Sequence, residues 1–110
     1  MSNLLFICSK NQWRSPTAEK IFSRYPGLSV RSRGTSRRAV RTVAQADIQW
    51  ADQIFVMEKK HKQRLQADYP GASRYTPIHV LEIPDDYRFM DPELIGILQD
   101  SVTPLLEEKL

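Results

Sequence analysis

The sequence feature that most constrains the fold is a short apolar run that ends at a cysteine. Residues Leu4 to Ile7 are all large and apolar, and Cys8, the single cysteine of the chain, follows directly. A continuous run of this length predicts a strand buried on both faces of a parallel sheet. After a short loop, Ser15 suits the N-cap of a helix and Pro16 its first turn. The segment therefore predicts a strand, a loop and a helix N-terminus.

The loop between Cys8 and this helix has the properties of an anion site. A strand-to-helix turn points backbone N–H groups and the positive end of the helix dipole at one place, which suits a phosphate group. Such a field also favours the nucleophilic thiolate form of a cysteine. Arg14 would add a bidentate guanidinium at the mouth of the loop. The simpler alternative is a buried, inert cysteine with an unrelated surface arginine nearby.

This segment also resembles a known family signature. Cys-x5-Arg-Ser between a strand and a helix is the pattern of cysteine-dependent phosphatases, and the continuation Pro-x-Ala-Glu is similar to the low-molecular-weight protein tyrosine phosphatases. Seven positions match that family's motif: Cys8, Asn11, Arg14, Ser15, Pro16, Ala18 and Glu19. The resemblance implies a metal-independent phosphomonoester hydrolase of the protein tyrosine phosphatase type. Its substrate would be phosphotyrosine in a phosphorylated protein, and it would need no cofactor.

The resemblance also assigns roles to the residues of the loop. It implies that Cys8 is the nucleophile that forms a phosphocysteine and that Arg14 binds the phosphate. The remaining substrate contacts would come from the loop and the helix start, namely Ser9, Lys10, Asn11, Gln12, Trp13 and Ser15. Asn11 tolerates a left-handed backbone and would hold the loop, while Ser15 would donate a hydrogen bond to the Cys8 sulfur.

Two loop positions depart from the family pattern. Lys10 stands where the family has glycine, which changes the shape of the loop or adds a cation to it. Trp13 stands where the family often has a second cysteine, so an oxidised Cys8 has no internal disulfide partner. Neither change removes a group that the chemistry needs.

A phosphocysteine mechanism needs a proton donor for the leaving oxygen, and three aspartates follow the fourth predicted strand. Asp91 precedes proline and glutamate, which is typical of a helix start. The run at 83–87, Ile-Pro-Asp-Asp-Tyr, resembles the acid loop of the family, Ile-Pro-Asp-Pro-Tyr. We therefore assign the general acid to Asp85, with Asp86 and Asp91 as alternatives. By the same resemblance, Tyr87 is expected to flank the substrate ring.

Strand and helix patterns alternate along the chain. Strands are predicted at 4–8, 28–30, 52–57 and 78–81, and helices at 16–24, 43–51, 58–67 and from about 91. Alternation with short connections predicts an α/β fold, a parallel sheet with helices on both faces, in one domain over residues 1–110. The family resemblance adds a four-stranded sheet with the order 2-1-3-4. Ligands in such sheets bind where the strand order reverses, which here is beside Cys8.

The sequence also predicts how individual side chains are used. The helix at 43–51 is expected to bury three of them: Val43, Ala46 and Trp50. The run 58–62, which contains His61, is expected to be a solvated helix face, and His79 is expected to be structural. Pro104 is expected to kink or split the last helix near Thr103.

Composition adds limits on compartment and class. A chain of 110 residues with one cysteine cannot form an internal disulfide, which fits the reducing cytoplasm. The sequence has no run of about 18 apolar residues and no signal-peptide pattern, so neither a membrane partner nor export is expected. Neither the physiological substrate nor the oligomeric state is encoded in a recognisable motif.

Arginines cluster in the segment from Arg31 to Arg41 at five positions: Arg31, Arg33, Arg37, Arg38 and Arg41. Three interpretations remain open: a rim that favours acidic phosphate esters, a nucleic-acid contact, or a solvated loop. No aromatic residues alternate with these arginines, so base stacking is not indicated and only phosphate attraction supports the nucleic-acid interpretation. A further alternative for the whole chain is a non-hydrolytic phosphate or phosphopeptide binder.

Overall fold

The four predicted strands form one parallel sheet in the computed structural model, which describes residues 2 to 107. The strands are β1 (Ser2–Cys8), β2 (Leu28–Gly34), β3 (Gln53–Val56) and β4 (Ile78–Val80). Their order is β2-β1-β3-β4, and all three pairs are parallel, which confirms the predicted fold class and strand order. β2 is longer than predicted and carries Arg31 and Arg33, so the basic cluster begins inside an edge strand.

Five helices are described: α1 (Arg14–Phe22), α2 (Gln45–Trp50), α3 (Lys59–Asp68), α4 (Pro70–Ser73) and α5 (Pro92–Glu107). The short helix α4 was not predicted, because Tyr-Pro-Gly reads as a turn. Of the two outcomes expected at Pro104, a kink or a split, the split is wrong, since α5 continues through this residue.

Each face of the sheet has its own apolar core. In one core, side chains of α1 and α5 pack against Phe6 and Phe55 of the sheet. In the other, side chains of α2 and α3 pack against Leu5 and Ile7. Successive residues of β1 alternate between the two cores, so β1 is buried on both faces, as its continuous apolar run predicts. Three rings stack in series, with centroids 5.5 Å apart for Phe6 and Phe22 and 5.1 Å apart for Phe6 and Phe55.

The expected core of α2 needs correction. Ala46 is exposed and Trp50 is only half-buried, because Ile48 is the residue of this helix that enters the core. Trp50 instead lies under the guanidinium of Arg31, with Cζ 4.0 Å from the ring centroid. His79 is structural as expected: its ring stacks on Phe55 with centroids 5.0 Å apart.

The carboxyl ends of the three adjacent strands meet at one edge of the sheet. Cys8 at the end of β1 pairs with Gly34 at the end of β2, and Ile7 pairs with Val56 at the end of β3. The loops that follow these strands therefore surround Cys8. Within residues 2 to 107, no helix is both long enough and apolar enough to cross a membrane.

Candidate active site

The loop from Ser9 to Trp13 joins β1 to α1 and encloses the Cys8 sulfur. Cys8 is 3% exposed. Asn11 has φ 56°, the left-handed conformation that the sequence predicts for it. The helix begins two residues earlier than predicted, so Trp13 and not Ser15 occupies the N-cap position, and Ser15 lies in the first turn. The positive end of the α1 dipole therefore points into the loop.

The Ser15 hydroxyl group contacts the sulfur, and Asn11 holds that hydroxyl group in place. The Cys8 Sγ lies 3.0 Å from the Ser15 Oγ. Asn11 Nδ2 donates to the same Ser15 Oγ at 2.9 Å and to Ser32 Oγ at 3.0 Å. The Ser15 hydroxyl hydrogen has two acceptors within reach, the Cys8 sulfur at 3.0 Å and Arg33 O at 3.4 Å. A hydrogen bond donated to the sulfur stabilises a thiolate.

A further network, not foreseen from the sequence, supports Asn11 from outside. Ser32 Oγ donates to Glu19 Oε1 at 2.7 Å. Arg41 Nη2 donates to Glu19 Oε1 at 3.0 Å and to Ser32 Oγ at 3.1 Å, while its Nε lies 3.4 Å from Asn11 Oδ1. Arg41 is therefore committed to holding the loop.

The segment after β2 also fixes the backbone of the loop. Thr35 N donates to Cys8 O, Ser36 N to Ser9 O and Val40 N to Lys10 O, each at 3.0 Å. Gly34 makes this approach possible, because a Cβ at this position would lie 2.6 Å from Ser9 O.

Arg14 is a buried guanidinium whose Nε has no hydrogen-bond partner. It is 2% exposed, and its Nη1 donates to Glu58 Oε2 and to Ile83 O, each at 2.7 Å. Its Nε lies 3.6 Å from Asp85 Oδ1 and has no hydrogen-bond partner. Among residues 2 to 107, this Nε is the one buried side-chain nitrogen or oxygen without such a partner. An unpartnered buried donor of this kind marks a place where an anion can bind.

Glu58 and His61 are the site residues that sequence reasoning missed, since both lie in the run interpreted as solvated. His61 is 1% exposed. Glu58 N donates to His61 Nδ1 at 3.0 Å, so the neutral ring carries its hydrogen on Nε2 and donates to Ser9 Oγ at 2.9 Å. The start of α3 therefore supports both Arg14 and the loop. The signal in the sequence was their position directly after β3, beside Cys8 at the switch in strand order.

The pKa values of His61 and Glu58 are both lowered, by different balances of burial and charge. Burial and the charge of Arg14 lower the pKa of His61 from 6.5 to about 4, so the ring is neutral near pH 7. Burial raises the pKa of Glu58, but the hydrogen bond and charge of Arg14 outweigh it, and the pKa lies below 4.5. At neutral pH the contact is therefore a carboxylate–guanidinium pair beside an uncharged imidazole.

A narrow cleft leads to the sulfur and is lined by Cys8, Lys10, Gln12, Trp13, Arg14 and Asp85. Of the three candidate acids, Asp85 lies at this cleft, with its side chain 57% exposed. Asp91 instead caps α5, accepting from Glu93 N at 2.8 Å, as the helix-start pattern predicts. Asp86 is exposed and does not line the cleft.

The other predicted substrate contacts divide into three groups. Lys10, Gln12 and Trp13 line the cleft, and Trp13 is 40% exposed. Ser9, Asn11 and Ser15 hold the loop through their side chains. Tyr87 packs, half-buried, against the core under α1 and α5 and not along the cleft, so Trp13 is the aromatic residue beside the sulfur.

The basic cluster is split by its ion pairs. Arg31 Nη1 lies 3.2 Å from Asp47 Oδ1, and Arg33 Nε lies 3.3 Å from Asp47 Oδ2. Arg41 is paired to Glu19, so of the five arginines of the cluster only Arg37 and Arg38 are exposed and make no ion pair with a described residue. The cluster is therefore mostly structural. No group of three or more His, Cys, Asp or Glu side chains within residues 2 to 107 is arranged to hold a metal ion.

Solved structures share this fold over nearly the whole chain. The tyrosine phosphatase Wzb from Escherichia coli K30, solved with sulphate, is 21% identical with a TM-score of 0.81 and covers 100% of each chain. The low molecular weight protein tyrosine phosphatase SP-PTP from Streptococcus pyogenes is 17% identical with a TM-score of 0.79, covering 100% of this chain and 94% of its own. The YwlE arginine phosphatase from Geobacillus stearothermophilus is 20% identical with a TM-score of 0.72, covering 99% and 95%.

Sequence comparisons give no further relatives: no family model matches the chain, and no curated protein matches it. The likeness is therefore one of structure at low identity, and what it establishes is the fold.

Proposed function

We propose that this chain, which has the fold of the low-molecular-weight protein tyrosine phosphatases, is a cysteine-dependent phosphomonoesterase. The observation that carries the proposal is the guanidinium of Arg14. It is buried, its Nη1 is fixed by Glu58 and Ile83, and its Nε is unpartnered in a cleft shared with the Cys8 sulfur. A cation held in this way beside a nucleophile suits an oxyanion that reacts there.

The first chemical step is attack by the Cys8 thiolate on phosphorus. The S–P bond forms while the bond from phosphorus to the leaving oxygen breaks. Arg14 and the loop N–H groups stabilise the charge on the equatorial oxygens. Asp85, protonated at the start, gives its proton to the leaving oxygen, for which its position at the rim of the cleft is suitable.

The second step releases phosphate. Asp85, now a carboxylate, removes a proton from a water molecule, the water oxygen bonds to phosphorus, and the S–P bond breaks with its electrons returning to sulfur. Ser15, 3.0 Å from the sulfur, stabilises the thiolate in both steps. Neither step requires a cofactor.

The proposed substrate is a phosphotyrosine side chain of a phosphorylated protein. Trp13 lines the cleft beside Cys8 and offers an aromatic wall to the leaving group. The proposed compartment is the reducing cytoplasm, where a cysteine that must act as a thiolate stays free.

The test is hydrolysis of p-nitrophenyl phosphate in the presence of EDTA. Wild-type protein should release p-nitrophenol, and Cys8→Ser should release none. Arg14→Lys keeps the charge but loses the planar fork, so its kcat/KM should fall by at least about 100-fold. Arg33→Lys is the matched control, because Arg33 also pairs with a carboxylate but lies outside the cleft.

Two results would contradict the proposal. Turnover by Cys8→Ser at a tenth of the wild-type rate would exclude the phosphocysteine. Binding of inorganic phosphate by the wild type without any turnover, followed by the fluorescence of Trp13 and Trp50, would instead identify a non-hydrolytic binding module.

A further inference from the structure

A second polar groove opens beside the loop, at the same carboxyl edge of the sheet as the Cys8 cleft. One wall is the segment after β2, with Ser36 and Arg37, and the other is α3, with Lys60 and Arg64. Ser9 lies at its base, and the groove has a volume of about 570 Å³. We call it the Arg37 groove. Its size suits a side chain or short peptide segment rather than a single ion.

The charge of the Arg37 groove is positive and incompletely neutralised. Arg37 makes no ion pair with any residue between 2 and 107. Lys60 Nζ lies 3.8 Å from Glu58 Oε2, but that oxygen already accepts from Arg14 at 2.7 Å. Arg64 Nε is paired with Asp68 at 2.7 Å. Arg37 therefore carries a charge that no described residue pairs with, and Lys60 shares the carboxylate of Glu58 with Arg14.

The groove adjoins the Cys8 cleft, because Ser9 of the groove lies in sequence between Cys8 and Lys10 of the cleft. Ser9 follows Cys8 directly, and consecutive Cα atoms are about 3.8 Å apart. Glu58 contacts a residue of each site: its carboxylate accepts a hydrogen bond from Arg14 of the cleft and lies 3.8 Å from Lys60 Nζ of the groove. An extended peptide advances about 3.3 Å per residue, so side chains one to three residues from a phosphorylated residue are spread over about 3–10 Å and are the ones suited to an adjoining groove.

We propose that the Arg37 groove binds an acidic side chain of the substrate, one to three residues from the phosphorylated residue. This deepens the proposed function, on which it rests, because it selects acidic phosphopeptides among phosphate esters. Carboxylates match the groove by charge through Arg37 and Lys60 and by hydrogen bonding through the hydroxyl group of Ser36.

The lining of the groove favours a peptide over a phosphorylated nucleic-acid end. Its one aromatic ring among the described residues is His61, whose two nitrogens are both bonded. Base recognition in single strands depends on stacking against exposed rings, and the groove offers none.

The experiment compares two phosphotyrosine peptides that differ only in their flanking residues, two glutamates in one and two glutamines in the other. At low ionic strength the wild type should hydrolyse the acidic peptide with a kcat/KM about threefold to fivefold higher. Raising the ionic strength to about 0.5 M should remove most of this preference. Arg37→Ala should bring the ratio close to one.

Arg38→Ala is the matched control. Arg38 is adjacent, exposed and of the same charge, but it does not line the groove, so its variant should keep the wild-type ratio. An equal loss in both variants would overturn the groove as a site and leave only diffuse attraction. Equal kcat/KM for the two peptides in the wild type would also overturn it. A 5′-phosphorylated oligonucleotide hydrolysed faster than the acidic peptide would overturn the choice of ligand.

Failure of the proposed function gives a different result. If the wild type hydrolyses neither peptide nor p-nitrophenyl phosphate, the phosphatase proposal fails. The groove is then decided by the Kd values of the two peptides for Cys8→Ser protein. The same threefold to fivefold preference for the acidic peptide supports it, and equal Kd values overturn it.

Discussion

Asp85 and Asp91 show how two aspartates a few residues apart are given different uses by their surroundings. Asp85 lies in the cleft, 3.6 Å from Arg14 Nε, whereas Asp91 caps α5. Asp85→Asn removes the proposed proton donor, so it should slow hydrolysis of phenyl phosphate, an ester with a poor leaving group, by about 100-fold or more. The effect on p-nitrophenyl phosphate should be much smaller. The measurement is kcat for both esters.

Asp91→Asn is the control for this prediction. Asparagine also caps helices, so its kcat values should match the wild type for both esters. The assignment of the acid is wrong if Asp91→Asn, and not Asp85→Asn, shows the dependence on the leaving group.

His61 gives the molecule a pH-dependent stability. Its pKa is lowered from 6.5 to about 4 in the folded chain. The unfolded chain therefore binds more protons between these values, and the free energy of unfolding falls as the pH is lowered through them. Between pH 7 and pH 5 the loss should be about 2 kcal/mol. Urea unfolding at both pH values measures it.

Comparison with His61→Gln isolates this contribution. The variant cannot titrate at this position, so its stability should change less between the two pH values. Glu58 titrates below 4.5 and contributes little in this range. If the free energy of unfolding changes by the same amount between pH 7 and pH 5 in wild type and variant, the assignment to His61 is wrong.

At the scale of elements, the end of β2 is shaped by Gly34. A Cβ there would lie 2.6 Å from both Ser9 O and Ala39 Cβ, so Gly34→Ala must displace the loop around Cys8. We expect it to destabilise the fold by about 1–3 kcal/mol and to lower phosphatase activity.

Gly96 in α5 is the matched control, because a Cβ there meets nothing within 4 Å. Gly96→Ala should stabilise the helix by about 0.5–1 kcal/mol. Thermal unfolding of both variants compares them, and an unchanged midpoint for Gly34→Ala would contradict the prediction.

The elements differ in how far the sequence specifies them. β1 was predictable because a continuous apolar run has few alternatives, and Asn11 was predictable because its side chain tolerates a left-handed backbone. The helix α2 was misassigned on its apolar face, since Ile48 enters the core and Trp50 lies at its edge under the guanidinium of Arg31. Glu58 and His61 were missed because a run of charged residues reads the same whether it faces water or a buried arginine. Burial depends on which loop lies opposite, and that is a tertiary property.

At the scale of the whole molecule, the strand order accounts for the position of the site. Placing β1 between β2 and β3 brings the segments that follow these three strands around Cys8. The segment after β1 supplies Asn11 and Arg14, the end of β2 supplies Gly34, which lets the next loop lie close, and the segment after β3 supplies Glu58 and His61. Alternating patterns predict the sheet and its parallel direction, but its order came from the family resemblance. The ion pairs that divide the basic cluster could not be predicted, because Asp47 and Glu19 are distant from it in sequence.

The central position of β1 also has a consequence for folding during synthesis. Leu5 pairs with Arg31 on one side and with Ile54 on the other, so the most apolar strand is fully paired only after β3 has been made. Pairings so distant in sequence form slowly, and until they form one edge of an apolar strand is open to other chains. A nascent chain that stalls before β3 should therefore be a strong client for chaperones and prone to aggregate. The arrangement that brings three loops to one cysteine thus leaves the strand that carries Cys8 open along one edge until β3 has been made.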